Sequence, residues 1–587
     1  MEQKIFSLLN FAFDGKITHT EFAGVSVTFD GKDATFGFST KAQHARCCFL
    51  LAMKAKEGPF QVQETPKFDT LGPMLDMSRG KVMTVAAVKE YIDYIAALGM
   101  NMLMLYTEDL YEVEGYPKFG HLRGRYTLAQ LQEIDSYGYE MGVELIPCIQ
   151  TFGHFEQYIK LRDANVPNEN ERVLLPGKEE TYAFIEAELT AIRKAFRTDR
   201  IHLGMDETHG LGLGKYLKEH GYRDPGEIFR EHLAKVLEIS RKYFKEPMIW
   251  SDMLFESPDG RQYSEAYPVK QSVIDGTPKD VELCFWNYYR DYFEWYDKLL
   301  TQHDRFPNKI AFAGGIWTWD GLAPNLTYSL NTMEPALRAC LAHKIKTVIA
   351  TLWVSGTNGA DYHQALPGLA VFSELCYKGE ACTHADIFAA TETLCGVDEA
   401  LFHAISDIYL GHKGAVSLAK GFVYCDLLVD LMSYDVDYAA ALQTLQKAYA
   451  VIDAHKDYTH REFFLSLYRI AILKCQLLGG LRPAYQSGDR AFLEKAVSAL
   501  IPALQAEFQA FYPQFRSLWR KSYKGFGLEM YTHDLGGVML RLQDTLDYLR
   551  EYLDGTVDTI EELETKTIPG INKTWRSSAS YMSRYRY

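Results

Sequence analysis

The run Arg200-Ile201-His202-Leu203-Gly204-Met205-Asp206-Glu207 is a short apolar segment that ends in two adjacent carboxylates. Thr208-His209-Gly210 then breaks it. Because successive side chains of a strand point to opposite faces, we expect Asp206 and Glu207 to diverge and to hold different roles. Barrels of the α/β class place catalytic groups at the carboxyl ends of their strands. The run therefore predicts a barrel strand that delivers two acids, although an acidic helix N-terminus after a strand has the same local pattern.

Apolar runs of strand length recur from about residue 71 and alternate with amphipathic helical stretches at 85–98, 128–141 and 227–243. The eight predicted strands are 71–77, 101–106, 143–151, 200–204, 247–252, 281–288, 310–317 and 347–353. Eight strands alternating with helices predict an α/β protein with a TIM (β/α)8 barrel. A doubly wound open sheet is the alternative. That fold has a Gly-rich phosphate turn after its first strand, and Ser78-Arg79-Gly80 occupies this place instead.

The chain is expected to form three domains. Residues 1–68 contain two short alternating runs joined by Asp30-Gly31-Lys32-Asp33, which predict a hairpin in a small N-terminal α/β domain. The catalytic barrel is assigned to residues 69–375. Residues 376–587 predict an α-helical C-terminal domain, because apolar positions recur there at helical spacing. The clearest of these helical stretches are 439–452, 461–478, 492–512 and 538–553.

Composition limits the partners and the compartment. The 587 residues carry a net charge of −15, which argues against a nucleic-acid partner because phosphate binding requires basic patches. The ten cysteines lack metal-ligand or disulfide-framework spacing, which favours reduced thiols. The apolar N-terminal run ends at Asp14 without a cleavage site, and no run of about 18 apolar residues indicates a membrane span. We therefore expect a cytoplasmic protein with no nucleic-acid or membrane partner.

Several ordered motifs resemble one enzyme family. His202-Leu203-Gly204-Met205-Asp206-Glu207 is similar to the His-x-Gly-x-Asp-Glu signature of glycoside hydrolase family 20, the β-N-acetylhexosaminidases. The resemblance covers the region from residue 70 to residue 375. Its further motifs are Leu75-Asp76-Met77-Ser78-Arg79-Gly80, Tyr106-Thr107-Glu108-Asp109, Gly115-Tyr116-Pro117, Gly124-Arg125-Tyr126-Thr127 and Phe152-Gly153-His154.

The resemblance implies substrate-assisted hydrolysis with retention. In this family the 2-acetamido oxygen of the sugar attacks its own anomeric carbon, so the enzyme supplies no carboxylate nucleophile. Adjacent acids suit this chemistry, since glycosidases with two working carboxyl groups hold them about 5 Å or about 6.5–9.5 Å apart across the scissile bond. By position in the motif, Glu207 would protonate the leaving oxygen. Asp206 would stay ionised, hold the acetamide N–H and stabilise the oxazolinium-like ring. No metal and no organic cofactor is expected.

Three further residues are assigned from the motifs. Arg79 follows the first strand, and its fork of donors would grip the O3 and O4 hydroxyls of the terminal sugar; a salt bridge at the barrel rim is the other interpretation. His154, after the third strand, resembles the family histidine that hydrogen-bonds toward the acid. Asp109 would orient this imidazole from behind, and Glu108 is an equally placed alternative.

Four tryptophans stand at or near the ends of predicted strands, namely Trp250, Trp286, Trp317 and Trp353. We expect their ring faces to wall the pyranose and its acetamido methyl group. Such contacts would make these residues the main substrate-binding surface beside Arg79.

The chain departs from the family pattern at two strands. Many members carry Tyr-x-Asp on strand seven, where the tyrosine donates to the acetamide oxygen, but residues 315–320 contain no tyrosine. Tyr288 is preferred to Tyr289 as the substitute, because strand alternation places it on the same face as Trp286. On strand eight, the carboxylate that usually follows the tryptophan and binds O4 or O6 is missing before Asp361.

The sequence therefore predicts an exo-β-N-acetylhexosaminidase that releases terminal β-linked GlcNAc or GalNAc from glycans. A second interpretation is a two-carboxylate retaining glycosidase on the same barrel, with Glu207 as the acid and a later carboxylate as the nucleophile. A third is a sugar-binding barrel without activity, and the intact Asp206-Glu207 pair argues against it.

Overall fold

The computed structural model describes residues 1–161, 164–255, 262–411, 418–432 and 436–565. The N-terminal region is a small α/β layer, as predicted. Its elements are α1 (Glu2–Leu8), β1 (Ile17–Glu21), β2 (Val25–Phe29), β3 (Ala34–Phe38), α2 (Lys41–Lys54) and β4 (Phe60–Glu64). The sheet order is β1-β3-β2-β4, and the antiparallel pairing of β2 with β3 confirms the predicted hairpin.

A buried arginine ties this layer to a later helix. Arg46, on α2, is 0% exposed, and its guanidinium lies 3.1 Å from Glu64 and 2.6 Å from Glu374. A buried cation is costly unless it is paired and hydrogen-bonded. The two carboxylates, far apart in the sequence, therefore fix Arg46 between the N-terminal layer and the rest of the fold.

Eight parallel strands form a closed barrel, which confirms the predicted fold class. Their bounds are β5 (Thr70–Asp76), β6 (Met102–Tyr106), β7 (Glu144–Cys148), β8 (Arg200–His202), β9 (Glu246–Trp250), β10 (Glu282–Trp286), β11 (Ile310–Gly315) and β12 (Thr347–Leu352). Each strand pairs with the next, and β12 pairs with β5 to close the ring. The strands form because they are apolar runs that can be buried on both faces, inside the barrel and beneath its helices.

Helices follow the strands around the barrel. Their bounds are α3 (Val85–Ala97), α4 (Leu128–Met141), α5 (Glu156–Ile159), α6 (Glu179–Ala195), α7 (Lys215–His220), α8 (Pro225–Ser240), α9 (Gln271–Gly276), α10 (Phe293–His303), α11 (Leu326–Ala342) and α12 (Leu366–Lys378). Thr84, Thr127 and Asp224 begin three of them by accepting the backbone N–H three residues on. The predicted helix 128–141 coincides with α4.

The C-terminal region is helical in the part that the structure describes, as predicted. Its helices are α13 (His384–Cys395), α14 (Glu399–Ser406), α15 (Leu418–Tyr424), α16 (Tyr438–Ala454), α17 (Arg461–Ser487), α18 (Arg490–Lys495), α19 (Ile501–Ser522), α20 (Leu528–Asp554) and α21 (Glu561–Glu564). By length and composition, α17 could cross a membrane, with a mean hydropathy of 1.3 in its most apolar window. That window is 67% buried inside the protein, which is also the property of a core helix.

Contacts between Cα atoms divide the chain into two compact units. The first unit comprises residues 1–315, 330–352 and 369–394, and it holds the N-terminal layer and all eight barrel strands. The second unit comprises residues 316–329, 353–368 and 395–587. The three-domain boundaries inferred from the sequence remain predictions.

Candidate active site

The carboxyl end of β8 continues in left-handed backbone rather than in extended strand. Gly204, Met205 and Glu207 have φ angles of +71°, +72° and +45°. A Cβ atom on Gly204 would lie 2.2 Å from the side-chain oxygen of Gln150, so the position requires glycine. The predicted strand 200–204 is therefore too long. Asp206 and Glu207 diverge because of this turn and not because of strand alternation.

Asp206 is held as an anion. Its Oδ1 accepts a hydrogen bond from Gln150 Nε2 at 2.7 Å, and its Oδ2 lies 3.1 Å from His154 Nε2. Burial alone would raise the pKa of Asp206, but the charge of His154 and these two hydrogen bonds lower it to about 2. The carboxylate is thus ionised over the whole range in which enzymes are assayed, and it is fixed from two sides.

His154 connects the two acids. Its Nε2 lies 3.1 Å from Asp206 Oδ2 and 3.7 Å from Glu207 Oε2. Burial would lower the pKa of His154, whereas the adjacent Asp206 carboxylate raises it to about 9. Because the ionised Asp206 carboxylate can only accept, the hydrogen between the two residues lies on Nε2, while the Arg172 guanidinium lies 3.4 Å from Nδ1. The structure therefore brings together three residues that the sequence selected: Asp206, Glu207 and His154.

Glu207 presents the more accessible carboxyl group. Its side chain is 37% exposed, compared with 13% for Asp206. Its nearest charged neighbours are His154 at 3.7 Å and Arg172 at 3.9 Å, and no hydrogen bond reaches the carboxyl oxygens from any residue the structure describes. A carboxyl group in this position can meet a group that approaches from solvent.

The expected hydrogen bond from His154 to the Asp109 carboxylate is not found among the described residues. Asp109 instead pairs with Arg123, whose Nε lies 2.8 Å from Oδ2. Glu108, the alternative, faces the site: its Oε1 lies 3.3 Å from Arg79 Nη2, and its charge acts on His154. Glu108 faces the site, rather than Asp109, because the backbone turns sharply at Glu108, which has a φ of +43°.

A chain of polar side chains runs from Arg79 to Asp206. Arg79 Nη2 lies 3.3 Å from Glu108 Oε1, and the Tyr106 hydroxyl donates to the same oxygen at 3.0 Å. Gln150 Nε2 then donates to the Tyr106 hydroxyl at 2.9 Å and to Asp206 at 2.7 Å. Arg79 thus makes the salt bridge that the sequence left as one interpretation. The same network reaches the Asp206 carboxylate.

Two of the predicted aromatic residues stack on each other. The ring centroids of Trp286 and Tyr288 are 5.4 Å apart with an interplanar angle of 20°. Tyr289 is exposed. Trp250, by contrast, is only 1% exposed and packs on His202 at 4.3 Å, so no ring face is open to solvent. The predicted role of Trp250 in walling a ligand remains a prediction.

Trp317 and Trp353 belong to the second compact unit. Trp317 is 1% exposed and stacks on Trp319 at 4.4 Å, so it also packs in an interior, whereas Trp353 is half-buried. Asp361, in the same unit, accepts hydrogen bonds from the His363 backbone N–H at 2.9 Å and from the Tyr523 side chain. The binding roles of Trp317 and Trp353 remain predictions.

Two family models match this chain. The glycosyl hydrolase family 20 catalytic domain matches residues 68–292, and the Glycoside Hydrolase 20C C-terminal domain matches residues 410–580. Both describe the same family, and together they span well over half of the sequence. The chain belongs to glycoside hydrolase family 20.

The relatives agree with this assignment. Hexosaminidase D of Bos taurus is 26% identical over 297 residues, which cover 48% of this family 20 chain and 79% of that protein. Hexosaminidase D of Homo sapiens is 26% identical over 226 residues, which cover 36% and 44%. The structure of an exo β-N-acetylglucosaminidase from Vibrio harveyi, in complex with N-acetylglucosamine, matches with a TM-score of 0.50 at 15% identity, covering 67% of this chain and 70% of that one.

A second solved structure supports the same fold. The family 20 β-N-acetylhexosaminidase of Streptomyces coelicolor A3(2) matches with a TM-score of 0.51 at 18% identity, covering 68% of this chain and 90% of that one. At identities this low, the structural likeness shows the fold alone. The family assignment rests on the family models.

Sequence reasoning missed three polar residues of this family 20 site. Gln150 follows the apolar run of β7, and a polar residue at that place was a usable signal. Asp252 follows β9 by two residues, so the rule that selected Asp206 applied to it equally. Arg172 lies between α5 and α6, and no motif or spacing distinguishes it there.

Replacing Arg79 by Lys is expected to lower kcat/KM by the equivalent of about 1–3 kcal/mol. A single ammonium group cannot contact Asp76 at 2.9 Å and Glu108 at 3.3 Å while it also grips two sugar hydroxyls. Steady-state kinetics on an aryl β-N-acetylglucosaminide measures the loss. Kinetics equal to those of the parent would leave Arg79 with a salt-bridge role only.

Proposed function

We propose that this family 20 chain is an exo-acting β-N-acetylhexosaminidase that removes terminal β-linked GlcNAc or GalNAc from glycans. The observation that carries the proposal is the pair of acids after β8. Asp206 is ionised between His154 and Gln150 with 13% of its side chain exposed, and Glu207 beside it is more accessible. One fixed anion and one accessible carboxyl group are what substrate-assisted hydrolysis requires.

In the proposed reaction, the acetamide oxygen of the bound sugar attacks the anomeric carbon and displaces the leaving oxygen, which takes a proton from Glu207. The ring closes to an oxazolinium ion. Asp206 accepts a hydrogen bond from the acetamide N–H and offsets the positive charge that develops only toward the transition state. Water then opens the ring at the anomeric carbon, and Glu207 takes the proton of that water, so the β-configuration is retained.

Tyr288 is proposed as the donor to the acetamide oxygen. Its ring stacks on Trp286, which would hold the hydroxyl group in one orientation. A positioned intramolecular nucleophile can contribute about 7–11 kcal/mol relative to an unlinked one. We therefore assign to Tyr288 and Trp286 the task of keeping the acetamide group in its reactive geometry.

Two alternative functions make different demands on the site and on the substrate. A two-carboxylate retaining glycosidase would need a nucleophile later in the sequence than Glu207, and the buried carboxyl group of Asp252 is a candidate near the site. A barrel that binds sugar without cleaving it would show no turnover at all. The acetamide mechanism differs from both, since it requires a 2-acetamido substrate.

A matched pair of substrates tests the proposal. The pair is an aryl β-glycoside of GlcNAc and the corresponding β-glucoside, which lacks the 2-acetamido group. We expect hydrolysis of the first only, with retained configuration in the product seen by NMR. Equal hydrolysis of both would indicate the two-carboxylate mechanism, and binding without hydrolysis of either would indicate a sugar-binding barrel.

Discrimination between GlcNAc and GalNAc is expected to be weak. A site that hydrogen-bonds one particular hydroxyl can discriminate by about 10⁴-fold or more, whereas apolar walls manage about 10- to 200-fold. Because strand eight lacks the usual carboxylate, kcat/KM for the two aryl β-glycosides should differ by no more than about two orders of magnitude. A larger ratio would mean that Asp361, Asp320 or another group reads the O4 hydroxyl.

The cellular location is a separate proposal. All ten cysteines are free thiols in the structure, and eight of them are buried. We propose a cytoplasmic location on the cysteine pattern of the sequence. The absence of a cofactor likewise remains a prediction.

A further inference from the structure

Asp252 lies directly behind the catalytic acid. It is the first residue of a single 3₁₀ turn that follows β9, and it is 0% exposed. Its Oδ2 accepts the backbone N–H of Glu207 at 3.0 Å and the Nε2–H of Gln262 at 3.0 Å. The side chain of Trp286 acts on the same carboxyl group and lowers its pKa. Asp252 therefore joins the turn after β8 to Gln262.

The backbone of Glu207 needs such a partner. A φ of +45° is a left-handed conformation that side-chain-bearing residues rarely adopt, and it persists only where the surroundings hold it. The Glu207 N–H has left the strand ladder at this point, since β8 ends at His202. The Asp252 oxygen satisfies this N–H and fixes the direction in which the residue leaves the turn.

The carboxyl group of Glu207 has no comparable support of its own. Its nearest polar neighbours, His154 and Arg172, lie at 3.7 Å and 3.9 Å, which is beyond hydrogen-bond distance. In the described part of the chain, Glu207 is hydrogen-bonded through its main chain: its N–H donates to Asp252 at 3.0 Å, and its carbonyl oxygen accepts the His209 N–H at 2.6 Å. The position of the acid therefore depends on its backbone.

The environment of Asp252 is compatible with this role in either charge state. Burial raises the pKa of Asp252 well above its usual range, and the charges of Asp206 and Glu207 raise it further, while the hydrogen bonds from Glu207 and Trp286 lower it. A carboxyl oxygen accepts an N–H whether the group is ionised or neutral. The contact with Glu207 is thus independent of the proton on Asp252.

We propose that Asp252 is a positioning residue for the general acid: by accepting the main-chain N–H of Glu207, it holds the acid where its carboxyl group can protonate the leaving oxygen. This inference rests on the proposed hydrolysis of β-N-acetylhexosaminides. It assigns to Asp252 no contact with the substrate. Substitution of Asp252 should therefore depend on the leaving group as substitution of Glu207 does, and not as substitution of Asp206 does.

Leaving-group dependence is the measurement that separates positioning of the acid from general damage. The variants are Asp252→Ala, which removes the acceptor, and Asp252→Asn, which keeps a carbonyl oxygen of the same shape. Each is assayed on two β-N-acetylglucosaminides, one with a strongly acidic aryl leaving group and one with an alkyl leaving group. Protonation matters for the alkyl glycoside and hardly for the acidic aryl one.

We expect Asp252→Ala to lower kcat/KM on the alkyl glycoside at least about tenfold more than on the acidic aryl glycoside. The ratio compared is kcat/KM on the acidic aryl glycoside divided by kcat/KM on the alkyl glycoside. For Asp252→Asn this ratio should stay within about threefold of that of the parent, because the amide oxygen still accepts the Glu207 N–H. Glu188→Gln is the matched control. Glu188 is another fully buried carboxyl group of the barrel region, bonded to the Tyr111 hydroxyl at 2.8 Å, and its change should leave the ratio unaltered.

The proposal would be overturned if Asp252→Ala lowered kcat/KM equally on both glycosides. It would also be overturned if Asp252→Asn changed the aryl-to-alkyl ratio as much as Asp252→Ala does. If Asp252→Ala does not fold, Asp252→Asn still decides, since a changed ratio there contradicts a role based on the acceptor oxygen and an unchanged ratio supports it. A parent that cleaves neither glycoside would refute the proposed function, and this inference with it. If the parent cleaves both glycosides, the proposed function stands and the variants test the role of Asp252 alone.

Discussion

On every β-N-acetylhexosaminide, Asp206→Asn is expected to lower kcat by about 10²- to 10³-fold, the usual loss when one preorganised electrostatic group is removed. The change strips the negative charge that faces the forming oxazolinium ring, and it also replaces an acceptor of the acetamide N–H by a group that can donate. Because neither effect involves the leaving group, the loss should be the same for acidic aryl and alkyl glycosides. Steady-state kinetics on both measures it.

A second readout checks that the charge itself is responsible. Since the Asp206 carboxylate raises the pKa of His154 to about 9, its removal should lower that pKa. The histidine would then lose its positive charge at a lower pH, which NMR of labelled imidazole can follow. Asp135→Asn serves as a control, because Asp135 is a buried carboxylate on α4 that pairs with Arg197, just after α6. A parental kcat for Asp206→Asn would remove Asp206 from the proposed role.

Glu207→Gln is expected to lose about 10²- to 10⁴-fold in kcat/KM on alkyl glycosides and natural glycans, the range that general acid catalysis usually contributes. The loss should be much smaller on glycosides with very acidic aryl groups, which depart without a proton. The side chain is 37% exposed and its carboxyl group is not hydrogen-bonded in the described part of the chain, so the amide should not perturb the fold.

Thermal unfolding of Glu207→Gln provides the control, with a midpoint expected near that of the parent. Equal losses on the two kinds of leaving group would show that Glu207 is not the acid. Together, the two variants distinguish the two acids by the dependence of the activity loss on the leaving group. Asp206 should matter for all leaving groups, whereas Glu207 should matter mainly for poor ones.

The barrel strands could be predicted because burial on both faces removes polar residues from a parallel strand. The ends of the strands are predicted less accurately than their existence. The runs 143–151 and 281–288 extend beyond β7 and β10, which end at Cys148 and Trp286. The residues just past these ends are still buried, so burial continues after the hydrogen-bonded ladder has stopped.

The catalytic acids and His154 could be placed from motifs, but their partners could not. Glu108, His154, Met205 and Glu207 all have positive φ, which no sequence pattern signals for residues other than glycine. These turns decide where each side chain points. They explain why Asp109 pairs with Arg123 and why Asp252, 45 residues from Glu207, meets its backbone.

The burial of Arg46 has a consequence for how this chain can be divided. Its guanidinium neutralises Glu64 within the N-terminal layer and Glu374 on α12. Without the layer, Glu374 would keep Lys378, at 2.9 Å, as its cationic partner among the described residues, and removing one partner of a buried pair typically costs about 3–5 kcal/mol. Any recombination between relatives that exchanges the first 64 residues must therefore keep a cation at position 46, because otherwise the buried carboxylate of Glu374 loses this partner.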